Sequence, residues 1–294
     1  MQVEECVIAN ETITTASADD SPWSGIVMDD AIKDQIRNHA LLALTLRQQM
    51  PFASTGLHGQ IVLHGPPGTG KTSLARGLPF QLAPYVTGRR VRRIEINPHG
   101  LMSGEHGKSQ QQVHELLSDY IPGLADDGQP TVVVLDEVES MVVARSEASL
   151  GANPADVHRA TGAVLTALDT NTRKCPHLLF VATSNFMAGL DEAFMSRADA
   201  AILVPAPNQQ ALAAIIRSTL HELGALYPAL RTLAEDPALP EVAARLDGLD
   251  GRMARKFVIG SLASATATTV DPAKLTMRQL LAAADVVDAA GAAS

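Results

Sequence analysis

Short apolar runs alternate with helical periodicity over the first two thirds of the chain. A helical spacing of apolar residues begins near residue 29 and stops before Pro51. Five later runs are short, rich in Val, Ile or Leu, and bounded by Gly, Pro or a polar residue. Strands that are buried on both faces and alternate with helices predict a mostly parallel α/β sheet. The predicted strands cover residues 61–64, 93–97, 131–136, 178–183 and 201–204.

The pattern becomes wholly helical after the Pro-Ala-Pro segment at 205–207. Apolar positions there follow the helical period, with prolines as breaks, over residues 209–223, 239–246, 251–265 and 276–289. The first twenty residues are mostly small, polar and acidic. We therefore expect a flexible arm over 1–20, a large α/β domain over 21–206 and a small helical domain over 207–294.

Composition narrows the class of protein. Of the 294 residues, 46% are hydrophobic, which is enough to build a sizeable core. The net charge of −9 disfavours binding to nucleic acids or to anionic membranes, because an acidic surface repels phosphate groups. We find neither a secretory signal nor an apolar stretch of about 20 residues. Cys6 and Cys175 have no metal-like or disulfide-like spacing, so a cytoplasmic protein is expected.

A glycine-rich loop follows the first predicted strand and precedes a helical run. Its sequence, Gly-Pro-Pro-Gly-Thr-Gly-Lys-Thr, matches the phosphate-loop pattern G-x-x-x-x-G-K-[ST]. The alternative is a chance match to the pattern, and the position of the loop between a predicted strand and a predicted helix argues against it. The lysine would reach the β- and γ-phosphates, and the final threonine would bind Mg²⁺. The predicted nucleotide-binding residues are Gly65, Pro66, Pro67, Gly68, Thr69, Gly70, Lys71 and Thr72.

The third predicted strand ends in two carboxylates, Asp136 and Glu137. An aspartate at this position can hold Mg²⁺ together with Thr72. Glu137 would activate a water molecule for in-line attack, as in hydrolases rather than phosphate transferases. The alternative is a surface Asp-Glu pair after a buried strand, which is common, but the upstream phosphate loop favours the functional interpretation.

Two further polar residues follow in the same order along the chain. Asn185 ends the fourth predicted strand and could orient the attacking water, although Asn is also an ordinary turn residue. Arg197 could stabilise charge on the transferred phosphoryl group, in many cases from a neighbouring subunit. A surface salt bridge from Arg197 to Asp199 or Glu192 is an equally good interpretation.

The motifs together resemble those of AAA+ ATPases, and more closely those of the HORMA-remodelling branch, which contains pachytene checkpoint protein 2 and its bacterial relatives. Ser73, directly after the phosphate loop, fits the same branch and is a further predicted nucleotide-binding residue. The segments that carry the resemblance are 136–140, 151–156, 163–169, 182–185, 194–199 and 251–256.

The resemblance implies a fold and an activity. The fold is an AAA+ module with a five-stranded parallel sheet in the order 5-1-4-3-2 and a C-terminal helical lid. The activity is ATP hydrolysis with Mg²⁺ by a homo-hexameric ring, which engages a flexible segment of a HORMA-domain protein and converts it from a closed to an open state. Bacterial relatives act in anti-phage systems, where they reverse the activation of a cyclic-oligonucleotide synthase by its HORMA partner.

The resemblance also implies residue roles. Glu137 would be the hydrolytic glutamate, Asp136 the Mg²⁺ carboxylate, Asn185 the sensor, and Arg197 the arginine finger that completes the neighbour's site. The lid sensor would be Arg252 or Arg255, with a slight preference for Arg252. Ile26 and Val27 would contact adenine, and Leu101 and Met102 would contact substrate in the pore, unless their segment is a solvent-exposed loop.

Two other functions remain open. An AAA+ DNA-transaction ATPase, such as a helicase or clamp loader, would need a basic inner surface, which the net charge disfavours. Four arginines within residues 89–93 form the one basic cluster, more typical of salt bridges or a solvated rim than of a nucleic-acid site. A nucleotide-gated scaffold with little turnover is the third candidate, and Glu137 and Arg197 argue against it.

Overall fold

One sheet organises the larger part of the chain. The computed structural model describes residues 3–97, 108–143 and 154–291. Its strands are β1 (Val7–Thr14), β2 (Gln60–His64), β3 (Arg90–Ile96), β4 (Thr131–Leu135), β5 (Leu178–Ser184) and β6 (Ala200–Leu203). They lie in the order β1-β3-β4-β5-β2-β6. Strands β2 to β6 pair in parallel, so the predicted order 5-1-4-3-2 is confirmed for them.

The N-terminal segment differs from the expectation of a flexible arm over residues 1–20. Val7–Thr14 forms β1, which pairs antiparallel with β3 and adds a sixth strand at the edge of the sheet. Its one fully buried side chain is Ile13, and Arg93 of β3 forms an ion pair with Glu11. Five of the eight residues of β1 are Val, Ile or Thr, and such β-branched residues suit a half-exposed edge strand.

The helices fall into two groups, which belong to two compact units. One unit comprises the chain up to Gly65 and from Lys71 to Val204, and the other comprises Pro66–Gly70 and the chain from Pro205 onward. The first contains α1 (Asp30–Gln49), α2 (Phe52–Thr55), α3 (Lys71–Leu82), α4 (Lys108–His114), α5 (Ile121–Leu124), α6 (Pro154–Lys174) and α7 (Glu192–Met195). The second contains α8 (Gln209–Leu223), α9 (Ala229–Ala234), α10 (Leu239–Arg245), α11 (Gly251–Leu262), α12 (Thr266–Val270) and α13 (Met277–Gly291).

The sheet has an apolar cluster on each face. Alternate residues of a strand point to opposite faces, so Val132 and Val134 of β4 enter one cluster while Val133 and Leu135 enter the other. Helices α1 and α3 cover the first face, and α6 with the helical segment around Leu116 covers the second. Burial on both faces explains why these strands have apolar runs rather than an alternating pattern.

In the second unit, α8 packs against α9, α10 and α11, and α13 packs against α10 and α11. Asn208 and Asp250 cap α8 and α11 by accepting the backbone N–H groups of Ala211 and Met253, each at 2.8 Å. Across both units, none of the helices formed by described residues has the length and apolar character needed to cross a bilayer.

A π-helix, Glu115–Tyr120, joins α4 to α5. The Ile121 N–H bonds the carbonyl of Leu116, five residues back, so the Leu117 carbonyl loses its α-helical donor. At π spacing its donor would come from position 122, but Pro122 has no N–H. The buried Asn171 side chain of α6 supplies the missing donor, with Nδ2 2.7 Å from the Leu117 oxygen.

We expect Asn171→Ala to lower the free energy of unfolding by about 1–3 kcal/mol, because the buried Leu117 carbonyl would be left without a donor. Pro122→Ala should recover part of this loss by restoring an N–H at π spacing. Urea denaturation of the two single variants and the double variant measures both effects, with the exposed Asn38→Ala as the control. Equal losses from Asn171→Ala with and without Pro122→Ala would contradict this explanation of the π-helix.

Candidate active site

The phosphate loop connects β2 to α3, and its glycines have backbone angles that other residues rarely adopt. Gly65, Gly68 and Gly70 have φ values of 145°, 75° and 96°. A Cβ on Gly65 would lie 2.2 Å from the Val204 carbonyl oxygen, and one on Gly68 would lie 2.2 Å from Cγ of Asp250. Side chains are therefore excluded from the loop for both conformational and steric reasons, which leaves its backbone amides available to a phosphate.

Lys71 is the first residue of α3 and is only 5% exposed. Its ammonium donates to the Gly65 carbonyl at 2.8 Å, which holds the side chain back along the loop. Burial, reinforced by the Lys71 charge, lowers the pKa of His64 at the end of β2. The imidazole is therefore neutral at pH 7, and Lys71 is the cation that the loop presents to an anion.

Three hydrogen bonds connect the acidic end of β4 to its surroundings. Thr72 of α3 and Thr183 of β5 both donate to Oδ1 of Asp136, at 2.7 and 2.5 Å. The Thr183 hydroxyl in turn accepts the backbone N–H of Glu137 at 3.1 Å. These bonds connect the predicted site residues Thr72, Asp136 and Glu137 to one another through Thr183, and Thr72 lies in the first turn of α3.

Glu137 has a left-handed backbone, with φ 49° and ψ 52°, which is unusual for a residue with a side chain. Such conformations cost free energy and are concentrated at functional sites, where the surrounding structure maintains them. Asn185 directly follows β5. It is exposed, and its backbone N–H donates to Oε1 of Glu139 at 3.0 Å.

Thr183 is the site residue that sequence reasoning missed. The register of the parallel pair β4–β5 aligns Leu135 with Ala182, so the next residues, Asp136 and Thr183, leave the sheet side by side. The signal was therefore present in the predicted strand order. Recognising it required the register as well, because a shift of one residue would have turned Thr183 away from Asp136.

Arg197 has a partner that the sequence did not suggest. Its Nε and Nη2 bind the two oxygens of Asp169 on α6, each at 2.8 Å, and its Nη1 donates to the Ala193 carbonyl at 2.6 Å. The alternative of a salt bridge was therefore right in kind and wrong in partner, because Arg197 pairs with Asp169 rather than with Asp199 or Glu192. Asp199 instead accepts three backbone N–H groups from residues 58–60, at 2.7 to 3.1 Å. The Arg197 guanidinium holds the pKa of Asp169 below its usual value.

The basic cluster at 89–93 is partly neutralised within the chain. Arg92 forms a two-bond ion pair with Asp127 at 2.8 and 3.1 Å, and Arg93 pairs with Glu11. These contacts make the cluster part of the fold, and they reduce the positive charge available to a nucleic acid.

The remaining predicted site residues are in several places. Ile26 and Val27 are half-buried, and Ile26 packs against the cluster that contains Trp23. On α11, Arg255 is 3.2 Å from Glu222 of α8, whereas Arg252 is exposed. Ser73 is half-buried in the first turn of α3. The predicted pore residues Leu101 and Met102 lie outside the described residues.

The donor set suits a nucleoside triphosphate with a hard divalent cation. A glycine loop at a helix N-terminus and a buried lysine favour phosphate, while the hydroxyl of Thr72 and the carboxylate of Asp136 are oxygen ligands of the kind Mg²⁺ prefers. Glu137, next to them, offers a base for a water molecule. Together with the parallel sheet, these features define a P-loop nucleoside triphosphatase.

Comparisons with known proteins assign the family. Residues 61–206 match the model for the ATPase family associated with various cellular activities (AAA). The chain is 44% identical to CD-NTase-associated protein 6 of Pseudomonas aeruginosa over 89% of its own length and 86% of that protein. It is 33% identical to pachytene checkpoint protein 2 homolog of Arabidopsis thaliana, covering 73% of this chain but only 46% of that protein.

A solved structure shows the same fold. A chain of the E. coli MS115-1 HORMA:CdnC:Trip13 complex superposes with a TM-score of 0.73 and 17% identity, over 97% of this chain and 96% of that one. The chain therefore belongs to the AAA ATPase family, in the group that includes CD-NTase-associated protein 6 and the pachytene checkpoint protein 2 homologs. It is a nucleotide-binding ATPase.

Proposed function

We propose that this ATPase works as a cytoplasmic homo-hexameric ring that remodels a HORMA-domain protein. It would engage a flexible segment of that protein and convert it from a closed to an open state. In a bacterial anti-phage system, this conversion would dismantle the complex in which the HORMA protein activates a cyclic-oligonucleotide synthase. The similarity to CD-NTase-associated protein 6 and to a protein of a HORMA:CdnC:Trip13 complex supports this choice of partners.

The hydrogen-bonded group of Thr72, Asp136, Thr183 and Glu137 is the observation that carries the hydrolytic part of the proposal. The Thr183 hydroxyl binds the Asp136 carboxylate and the Glu137 backbone N–H. It therefore holds both residues in place, and each would have its own role in hydrolysis. Asp136 stays beside Thr72 at the start of α3, and Glu137 orients and deprotonates the attacking water. Asn185 would help to orient that water, and Lys71 would bind the phosphates.

Mg²⁺ fits as the second cofactor. No three His, Cys, Asp or Glu side chains within the described ranges cluster as a metal site of their own. Thr72 and Asp136, whose side chains are joined by a 2.7 Å hydrogen bond, would hold the ion together with phosphate oxygens. When bound, the ion would neutralise charge that develops on the phosphates.

The second unit would act as the lid domain, with Arg252 as its ATP sensor. The guanidinium of Arg255 is engaged with Glu222 within this unit, whereas Arg252 is exposed at the start of α11. This difference favours Arg252 between the two candidates. Ile26 and Val27 remain the proposed adenine contacts, and Leu101 and Met102 the proposed substrate contacts.

The DNA-transaction alternative is less favoured. The net charge of the chain is −9, and two arginines of its basic cluster are paired with Asp127 and Glu11. Salt-dependent binding of duplex DNA by the ATP-bound ring would support this alternative against the HORMA proposal.

The experiment combines the Glu137→Gln variant with a HORMA-domain protein bound to its cyclic-oligonucleotide synthase. With ATP, native mass spectrometry should detect a six-subunit ring that retains the HORMA protein. The wild-type protein with ATP should release the synthase from the HORMA protein, and Lys71→Ala should do neither. A ring that hydrolyses ATP but leaves the HORMA–synthase complex intact would contradict the remodelling proposal and leave only the ATPase.

A further inference from the structure

The guanidinium of Arg197 is bound along one edge and open along another. A guanidinium has five N–H donors, and three of those on Arg197 are used by the two Asp169 oxygens and the Ala193 carbonyl. One N–H on each Nη atom remains, and within the described part of the chain no acceptor binds them. Side-on pairing through Nε and Nη2 thus holds the group in place while leaving two donors for an external anion.

The carboxylate that holds Arg197 is on a firmly anchored turn. Near the end of α6, Asn171 donates to the Leu117 carbonyl at 2.7 Å, and the Thr172 hydroxyl donates to the His58 carbonyl at 3.0 Å. Both residues are buried, whereas the Asp169 side chain is 45% exposed and that of Arg197 is 21% exposed. The pair therefore lies at the surface, on a turn whose position the core fixes.

The exposure of the pair limits its contribution to folding. Ion pairs near the surface contribute little to stability, because water and salt screen the two charges in the folded protein and holding both side chains in one geometry costs entropy. A bidentate carboxylate does restrict the rotation of a long, flexible arginine. A guanidinium that is already held in place accelerates a reaction in which it must stabilise charge that develops in the transition state.

We propose that Asp169 is a positioning residue for the arginine finger: it fixes the Arg197 guanidinium so that the two remaining Nη–H donors face the nucleotide of the neighbouring subunit. This inference rests on the proposed ring and on the role of Arg197 within it. In this scheme Asp169 contacts neither ATP nor the attacking water molecule, and it acts only through Arg197.

Steady-state ATP hydrolysis by Asp169→Asn tests the inference. The variant should lose about tenfold in kcat, a part of the 10³–10⁵ that a complete arginine finger contributes. The KM for ATP should stay within about twofold, because each subunit's own phosphate loop is intact. The matched control is Asp127→Asn, a carboxylate of similar exposure that also makes a two-bond pair with an arginine, and it should keep wild-type kinetics.

Mixed rings test whether Asp169 acts on the neighbouring site. Glu137→Gln subunits should bind ATP and enter the ring without significant hydrolysis, and they carry an intact Asp169–Arg197 pair. When they are mixed in excess with Asp169→Asn subunits, the hydrolysis per Asp169→Asn subunit should rise several-fold. An unchanged rate per subunit would place the effect of Asp169 in its own subunit and overturn the inference.

Arg197→Ala separates the failure of this inference from the failure of the finger role. If Arg197→Ala hydrolyses ATP at the wild-type rate, the finger role itself is wrong. If Arg197→Ala is inactive while Asp169→Asn matches Asp127→Asn, the finger role stands and the inference about Asp169 is overturned. If Asp169→Asn loses activity and its thermal midpoint also falls by more than a few degrees, the inference is overturned as well, since the role of Asp169 would then be structural.

Discussion

Glu137→Gln should lower the rate of ATP hydrolysis by at least about 100-fold and leave ATP binding within about twofold of wild type. The amide keeps the size of the carboxylate but cannot accept the proton of the attacking water, and a positioned base of this kind contributes 10²–10⁴ to a rate. The measurement is phosphate release at saturating ATP, combined with binding of a fluorescent ATP analogue at equilibrium.

The choice of glutamine follows from the backbone at this position. Glu137 is left-handed and its N–H is bound by Thr183, so a change of size or branching would disturb both features. Glu115→Gln, at an exposed position after α4, is the matched control and should hydrolyse ATP normally. Equal phosphate release by wild type and Glu137→Gln would remove the general-base assignment, and negligible release by both would favour the nucleotide-gated scaffold.

The parts of the molecule that could be predicted from sequence are those with local signals. The phosphate loop has a fixed spacing because the backbone must close around a phosphate, and its glycines have the positive φ values which that geometry requires. The central strands are buried on both faces, so each leaves an apolar run that can be recognised without its neighbours. The pairing order of the strands came from the family resemblance rather than from the runs themselves.

The parts that could not be predicted depend on pairing between distant residues. β1 is half-exposed, so its side chains lack the apolar run of a central strand, and only its antiparallel partner β3 identifies it. Asp169 and Arg197 are 28 residues apart, and the competing acidic residues Asp199 and Glu192 were closer in sequence. The π-helix depends on Pro122 together with a donor from Asn171 on another helix, which no local pattern contains.

Gly59→Ala should be among the most destabilising single substitutions in the chain. Gly59 precedes β2 with φ at 79°, and an added Cβ would lie 1.8 Å from Nη1 of Arg47. Arg47 is 7% exposed, and its guanidinium donates to carbonyls near the end of α6 and the start of β5: those of Leu178 at 2.5 Å, Thr172 at 3.4 Å and Cys175 at 3.5 Å. Burial lowers the pKa of Arg47, which shows how poorly this environment solvates a cation.

The arginine cannot move aside at low cost, because a displaced guanidinium would leave buried carbonyls unpaired and would itself lose its acceptors. We expect Gly59→Ala to lower the free energy of unfolding by about 3 kcal/mol or more, from the lost charged hydrogen bonds and the backbone strain together. Gly56→Ala is the matched control, since Gly56 has φ at 66° but open space around a Cβ. It should cost about 1–2 kcal/mol, which is the price of a left-handed backbone alone.

A double-mutant cycle with Arg47→Ala identifies the source of the difference. Arg47→Ala alone should be strongly destabilising, because it leaves the same carbonyls without a donor. In that background the clash no longer exists, so Gly59→Ala should cost no more than Gly56→Ala does in the wild type. Additive losses from Gly59→Ala and Arg47→Ala would mean that the two residues do not interact, and the strain would then belong to the Gly59 backbone itself.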